Sequence, residues 1–245
     1  MSRNGHPPSI IRATITSLSR VLGACLSVTA VAVTASAPAW SAETAFPRFA
    51  QKEGRIDAND MPLSGATLCV LPEKTRCFEM PSSPIHGNAK DRYQFALDAR
   101  SERLPLAGGG SWVFFSGTFS GGGSGMLERV AVLRYTAAGK IENLMPEVTA
   151  TDVADRAMWN VPEVSPYPVF VRADFIWGDG EDHFGKHRFG VDGWVFDPAG
   201  DRYRKVFSYR TEQRYARGAD DDDHVLKAER DTILSHLKAA LKAPH

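Results

Sequence analysis

Gly108-Gly109-Gly110-Ser111-Trp112-Val113-Phe114-Phe115-Ser116-Gly117-Thr118-Phe119-Ser120-Gly121-Gly122-Gly123-Ser124-Gly125 is the stretch that decides the fold. A short run that is apolar on both faces stands between two glycine loops. Both faces of such a strand must be covered, so Ser111 to Phe119 reads as a central strand that enters and leaves through tight bends. Leu127 to Tyr135 continues with strand chemistry, Thr136-Ala137-Ala138-Gly139-Lys140 is a turn, and Ile141 opens a return strand. Together they make a hairpin.

Toward the N-terminus, Ala66-Thr67-Leu68-Cys69-Val70-Leu71-Pro72-Glu73-Lys74-Thr75-Arg76-Cys77-Phe78 reads as strand, polar turn, strand. A hairpin centred on Glu73 sets Cys69 and Cys77 directly opposite each other. Outside the cytoplasm such a pair is expected to be a disulfide, and closing so short a loop contributes roughly 2–3 kcal/mol. A redox-active pair is the alternative, but Cys-x-x-Cys spacing and a helix start to lower a thiol pKa are both missing. Residues 43–63 read as an extended lead-in, 81–90 as a Pro- and Ser-containing turn region, and Tyr93 to Asp98 as a half-buried strand.

Toward the C-terminus, Pro146, Pro162, Pro166 and Pro168 mark a long connection in which Asp152 to Ala157 reads as a short helix. Strand character returns at Val169 to Trp177 and His187 to Phe196. The turn Asp197-Pro198-Ala199-Gly200-Asp201 leads to a strand from Tyr203 to Tyr209. An acidic run, Asp220 to Asp223, then opens His224 to Leu241, where Leu226, Ile233, Leu237 and Leu241 recur at helical spacing. Acidic residues at a helix start complement its dipole. The expected fold is mainly β: an antiparallel, hairpin-built sheet or partial barrel, with one C-terminal helix over about residues 222–242 packed on it.

The first 42 residues differ in kind. They hold Arg3, Arg12 and Arg20 and no acidic residue, then a run of Ala, Val and Leu with small hydroxyl residues, then Ala35-Ser36-Ala37 and Ser41-Ala42. Positive flank, apolar run and small-residue exit describe a cleavable secretory signal, cut after Ala42, with residues 43–245 as one exported domain, periplasmic or extracellular. Leu22-Gly23-Ala24-Cys25 resembles a lipobox and gives the alternative of a lipoprotein anchored at Cys25, although the better apolar run follows that cysteine. No other transmembrane candidate is present. Removing the signal leaves 26 basic and 29 acidic residues in the 203 that remain. A chain with net charge −3 has no electrostatic reason to seek nucleic acid.

The densest polar cluster is Trp177-Gly178-Asp179-Gly180-Glu181-Asp182-His183-Phe184-Gly185-Lys186-His187-Arg188. Two histidines four apart beside three carboxylates suggest a metal. On a helix they would lie about 6 Å apart on one face; in a strand the spacing is roughly 13 Å, too far for joint chelation without a bulge. The glycines and the alternation beyond Phe189 favour loop then strand, so no metal is favoured. Asp179, Glu181 or Asp182 in a glycosidase pair would need a partner about 5–9 Å away, which sequence cannot supply. Gly121 to Gly125 lacks the following helix and the Lys-Ser or Lys-Thr of a phosphate loop. No nucleophile elbow and no cofactor motif is present.

Of the tryptophans, Trp112 and Trp194 lie within strand patterns and read as core, whereas Trp159 and Trp177 lie in or beside loops and read as surface candidates. The leading expectation is a non-catalytic binding or envelope-associated protein that presents Trp159, Trp177, Asp179, Glu181, His183 and His187 to a protein partner or a cell-wall glycan. The alternative is a metal-dependent hydrolase using Asp179, Glu181, His183 and His187. A third is a structural subunit with an exposed apolar patch elsewhere.

Overall fold

The computed structural model describes residues 46–59, 61–85, 88–120, 126–151, 154–178, 185–216 and 224–242. Its elements form three antiparallel sheets, a small hairpin and a C-terminal helical segment, all within the unit Ala42–His245. The small sheet holds β1 (Phe49–Lys52), β2 (Thr67–Val70) and β3 (Cys77–Glu79), in that order. The hairpin is β4 (Ser83–Ile85) with β5 (Asn88–Tyr93). The first large sheet contains β6 (Leu97–Pro105), β7 (Ser111–Ser120), β8 (Met126–Tyr135), β9 (Ile141–Asn143) and β10 (Val148–Thr151). Its order is β10-β8-β7-β6, with β9 also on β8. The second large sheet runs β11 (Asp155–Trp159), β12 (Val169–Ile176), β13 (Lys186–Asp197), β14 (Arg202–Arg210), with β15 (Tyr215–Ala216) on the start of β13. The chain ends in α1 (His224–Ala228) and α2 (Arg230–Lys242). None of the described sheets closes into a barrel.

β7 is interior to its sheet, and period-two alternation explains why both its faces are apolar. Trp112 and Phe114, with Val130 and Val132 of β8, face the second large sheet and meet Phe170, Trp194, Phe196 and Tyr203. Val113 and Phe115, with Ala131 and Leu133 of β8, face the small sheet and meet Leu68, Met80 and Phe95. The far side of the second sheet repeats the arrangement: Val169, Val171, Ala173, Phe189 and Val191 pack on Val225, Leu226, Ile233 and Leu237 of the helices. The result is four layers: small sheet, first sheet, second sheet, helices. Full burial of each large apolar side chain is worth about 1.5–3 kcal/mol, so the two inner sheets carry most of the driving force.

Local signals act where the sequence places them. Gly109 (φ 88°) and Gly110 (φ 79°) turn the chain from β6 into β7 in a region that side chains rarely adopt. The β13–β14 pairing shifts register between Gly193 and Trp194, and a Cβ on Gly193 would stand 2.1 Å from the Phe207 ring. Cys69 and Cys77 are register partners and form a disulfide.

Four expectations shift. The strand expected at Tyr93 to Asp98 is split: β5 ends at Tyr93, and Gln94 to Ala96 lies outside any strand. Phe95 and Ala96 are buried there, and their carbonyls accept from the amides of Ala66 and Gly54. The 81–90 turn region contains most of the β4–β5 hairpin. Asp155 to Ala157 is strand, not helix, because its alternation splits two jobs: Arg156 and Met158 face the first sheet, while Asp155, Ala157 and Trp159 face the helices.

Buried Asp155 accepts the amides of Val225 (2.5 Å) and Leu226 (3.3 Å), capping α1 from another layer. The single expected helix is two segments around Glu229, although the Glu229 to Val225 and Ile233 to Glu229 backbone bonds carry the ladder through. The Glu229 carboxylate accepts from the hydroxyls of Tyr209 (3.1 Å) and Tyr215 (2.5 Å). Burial, followed by that carboxylate, pushes the Tyr215 hydroxyl up to about 12. Gly121 to Gly125, Asp152 and Asp220 to Asp223 lie outside the described residues. Among the described residues no helix is long and apolar enough to cross a membrane.

Candidate functional site

Two places combine chemistry with access. The first is the end of the second sheet where β12 meets β13. Ile176 is paired with Arg188, so one step further along the register Trp177 stands beside His187. Phe175 completes the group: its ring stacks on His187 at 4.4 Å and meets Trp177 at 5.8 Å, while Trp177 and His187 are 5.3 Å apart. Phe189 supports Phe175 from below at 4.9 Å. His187 is fully buried, and Trp177 is 49 % exposed. The half-exposed tryptophan is therefore braced by neighbouring aromatic rings. Exposed Lys186 opens β13 just before His187, and the Arg214 guanidinium donates to its carbonyl.

The surface candidates from the sequence separate here. Trp159 pairs with Val169 at the opposite end of β12, roughly 25 Å from Trp177 at the usual strand rise. It is half-buried, packs against the helical core and lies under the Arg230 guanidinium at 4.7 Å. Asp179, Glu181, Asp182 and His183 lie outside the described residues. Among the described residues no three His, Cys, Asp or Glu side chains converge on a metal position. Trp112 and Trp194 are core. Apart from Trp177, the described large apolar side chains with most exposure are Met61, Leu63 and Ile56, around the Ile56–Pro62 bridge.

The second place carries no signal that the sequence made conspicuous. Between the two large sheets, near their β6 and β11 edges, a cleft of about 320 Å³ is lined by Arg100, Glu102, Phe114, Ser116, Arg156 and Met158. Beside it is Glu128 of β8, only 4 % exposed, whose carboxylate binds the Arg156 guanidinium and receives the Ser116 hydroxyl. Burial pushes this carboxyl above the usual glutamate range, against the opposing pull of Arg156.

Arg156 and Arg172 stand directly opposite each other on β11 and β12, a like-charge pairing that is unfavourable by itself. Each is compensated by its own carboxylate. Arg172 holds Asp192 at 2.6 Å, donates to the Thr149 carbonyl, and lies over the Trp194 ring. The polar end of the inter-sheet space is thus built from paired charges.

Compared with known proteins, the chain matches no family model, no curated protein and no solved structure.

Proposed function

We propose that the chain is an exported, non-catalytic binding protein whose contact surface is the Trp177 end of the second sheet, and whose target is a cell-wall glycan. The observation that carries this reading is the half-exposed Trp177 ring braced by Phe175 and buried His187. An indole held in place by neighbouring rings has little rotamer freedom left to lose on binding, so its contact is preorganised. Exposed basic residues, Lys186 and Arg214, lie near this end of the sheet. Ring face with basic neighbours suits a sugar, which presents an apolar C–H face and polar edges together. A protein hot spot more often sits within wider apolar surroundings. His187 acts here as a positioning residue beneath the ring.

The test is a pull-down on insoluble cell-wall glycan, followed by titration with soluble fragments. Trp177→Ala is expected to weaken binding at least tenfold while the thermal midpoint stays within about 3 °C of the parent, because the ring is half in solvent. Equal binding by parent and Trp177→Ala, or none by the parent, would rule out this contact surface.

A further inference from the structure

The cleft between the large sheets holds more cationic hydrogen-bonding capacity than the protein itself uses. Arg156 engages Glu128 through Nε, and neither Arg156 nor Arg100 makes any other hydrogen bond or ion pair among the described residues. A guanidinium presents five N–H donors in a planar fork, the geometry that receives a carboxylate in a bidentate fashion. Glu128, itself held by the Ser116 hydroxyl, engages Arg156 and orients its guanidinium before any ligand arrives. Phe114 from the first sheet and Met158 from the second supply apolar walls on either side. Met158 is a side chain that adapts to the shape of what it meets.

We infer that this cleft is a binding site for a small monocarboxylate with an apolar body, the carboxylate on Arg100 and Arg156 and the body between Phe114 and Met158. The charge balance sets the ligand's charge. Two guanidiniums stand against Glu128 beside the cleft and Glu102 on its lining. These four charges cancel, so a ligand is held by the open guanidinium donors rather than by net charge, and a dianion such as phosphate is disfavoured. A volume of about 320 Å³ lies at the small end of ligand pockets, which limits the body to a short chain or a single ring. The same placement between sheets lowers the local dielectric, which strengthens the ion pair once water leaves. This site is independent of the Trp177 surface: it lies at the β6 and β11 edges, whereas Trp177 stands where β12 meets β13, and either can fail alone.

Isothermal titration calorimetry on the full chain tests it, with octanoate and phenylpropionate as the two forms of apolar body and with octanol and inorganic phosphate as controls. The expected result is saturable binding of at least one carboxylate, with octanol and phosphate at least tenfold weaker. Which carboxylate binds more tightly distinguishes a chain from a ring as the natural body. Arg100→Gln, at an exposed residue that makes no hydrogen bond or ion pair among the described residues, should weaken carboxylate binding at least fivefold with a nearly unchanged melting curve. Arg156→Gln made together with Glu128→Gln avoids a stranded buried charge and should weaken it further. Absence of binding by both carboxylates, octanol binding as tightly as octanoate, or full affinity in Arg100→Gln would each overturn the assignment.

Discussion

Along the same pairs of strands, the space between the two large sheets changes character within two to four residues. At one end Trp112 stacks on Tyr167 at 5.3 Å and meets Phe196 at 4.8 Å, while Phe170 lies against Trp194 at 5.2 Å. Four residues on from Trp112 is Ser116, two on from Phe170 is Arg172, and two back from Met158 is Arg156. There the space is occupied by Arg156 with Glu128 and by Arg172 with Asp192. The aromatic end is stabilised by shape and removed water, so its energy scales with filled volume. The ionic end is stabilised only while every partner is present, because a lone buried charge costs more than the pair gains. One end is tuned by size, the other by completeness.

The largest expected effect falls at the aromatic end. Phe170→Ala should destabilise the protein by about 3–5 kcal/mol, read from chemical denaturation, as cavity formation adds to lost burial. Next, Arg156→Ala should cost about 3 kcal/mol by leaving Glu128 buried without its cation. Replacing both partners, Glu128→Leu with Arg156→Met, should be neutral or even stabilising, by roughly 1–4 kcal/mol, since neither desolvated charge remains. If the double replacement is as harmful as Arg156→Ala, the ionic end is held by packing, and the contrast between the two ends disappears.

The smallest effect is a slope with pH. Because burial raises the Glu128 carboxyl, the folded chain binds that proton more tightly than the unfolded chain does. Its contribution is fully present below the ordinary glutamate range and is lost as pH rises through the raised folded value. The melting temperature of the parent relative to Glu128→Gln should therefore increase on acidification from neutral pH toward the ordinary glutamate range. A difference that does not vary with pH would mean that Arg156 and Ser116 fully offset the burial.

Much of the frame was legible because its causes are local. The hairpin around Glu73 fixes the Cys69–Cys77 register, the Gly108–Gly110 loop leads into β7, and Asp197 to Asp201 joins β13 to β14. β6 was not legible. As an edge strand it exposes Arg100, Ser101, Glu102 and Arg103, so it lacks the apolar alternation that identifies interior strands. β11 was misread as a helix because its polar residues have partners far away in sequence. Asp155 caps a helix 70 residues on, and Arg156 pairs with a carboxylate on the other sheet. For the site, the sequence marked Trp177 and His187 but not their contact, and it passed over Glu128, a single acid that interrupts the apolar run of β8.

By itself, then, the sequence determined a mainly β chain with a disulfide hairpin, a central doubly apolar strand and a C-terminal helical segment. Each of these follows from steric preference and periodicity within a few residues. Only the tertiary structure decided that two large sheets face each other, that Trp159 of β11 lies beside one end of β12 while Trp177 follows its other end, and that Arg156 meets Glu128. Those outcomes depend on which buried charges find partners and which faces find cover. Both are settled by contacts between residues far apart in the chain, which no local pattern encodes.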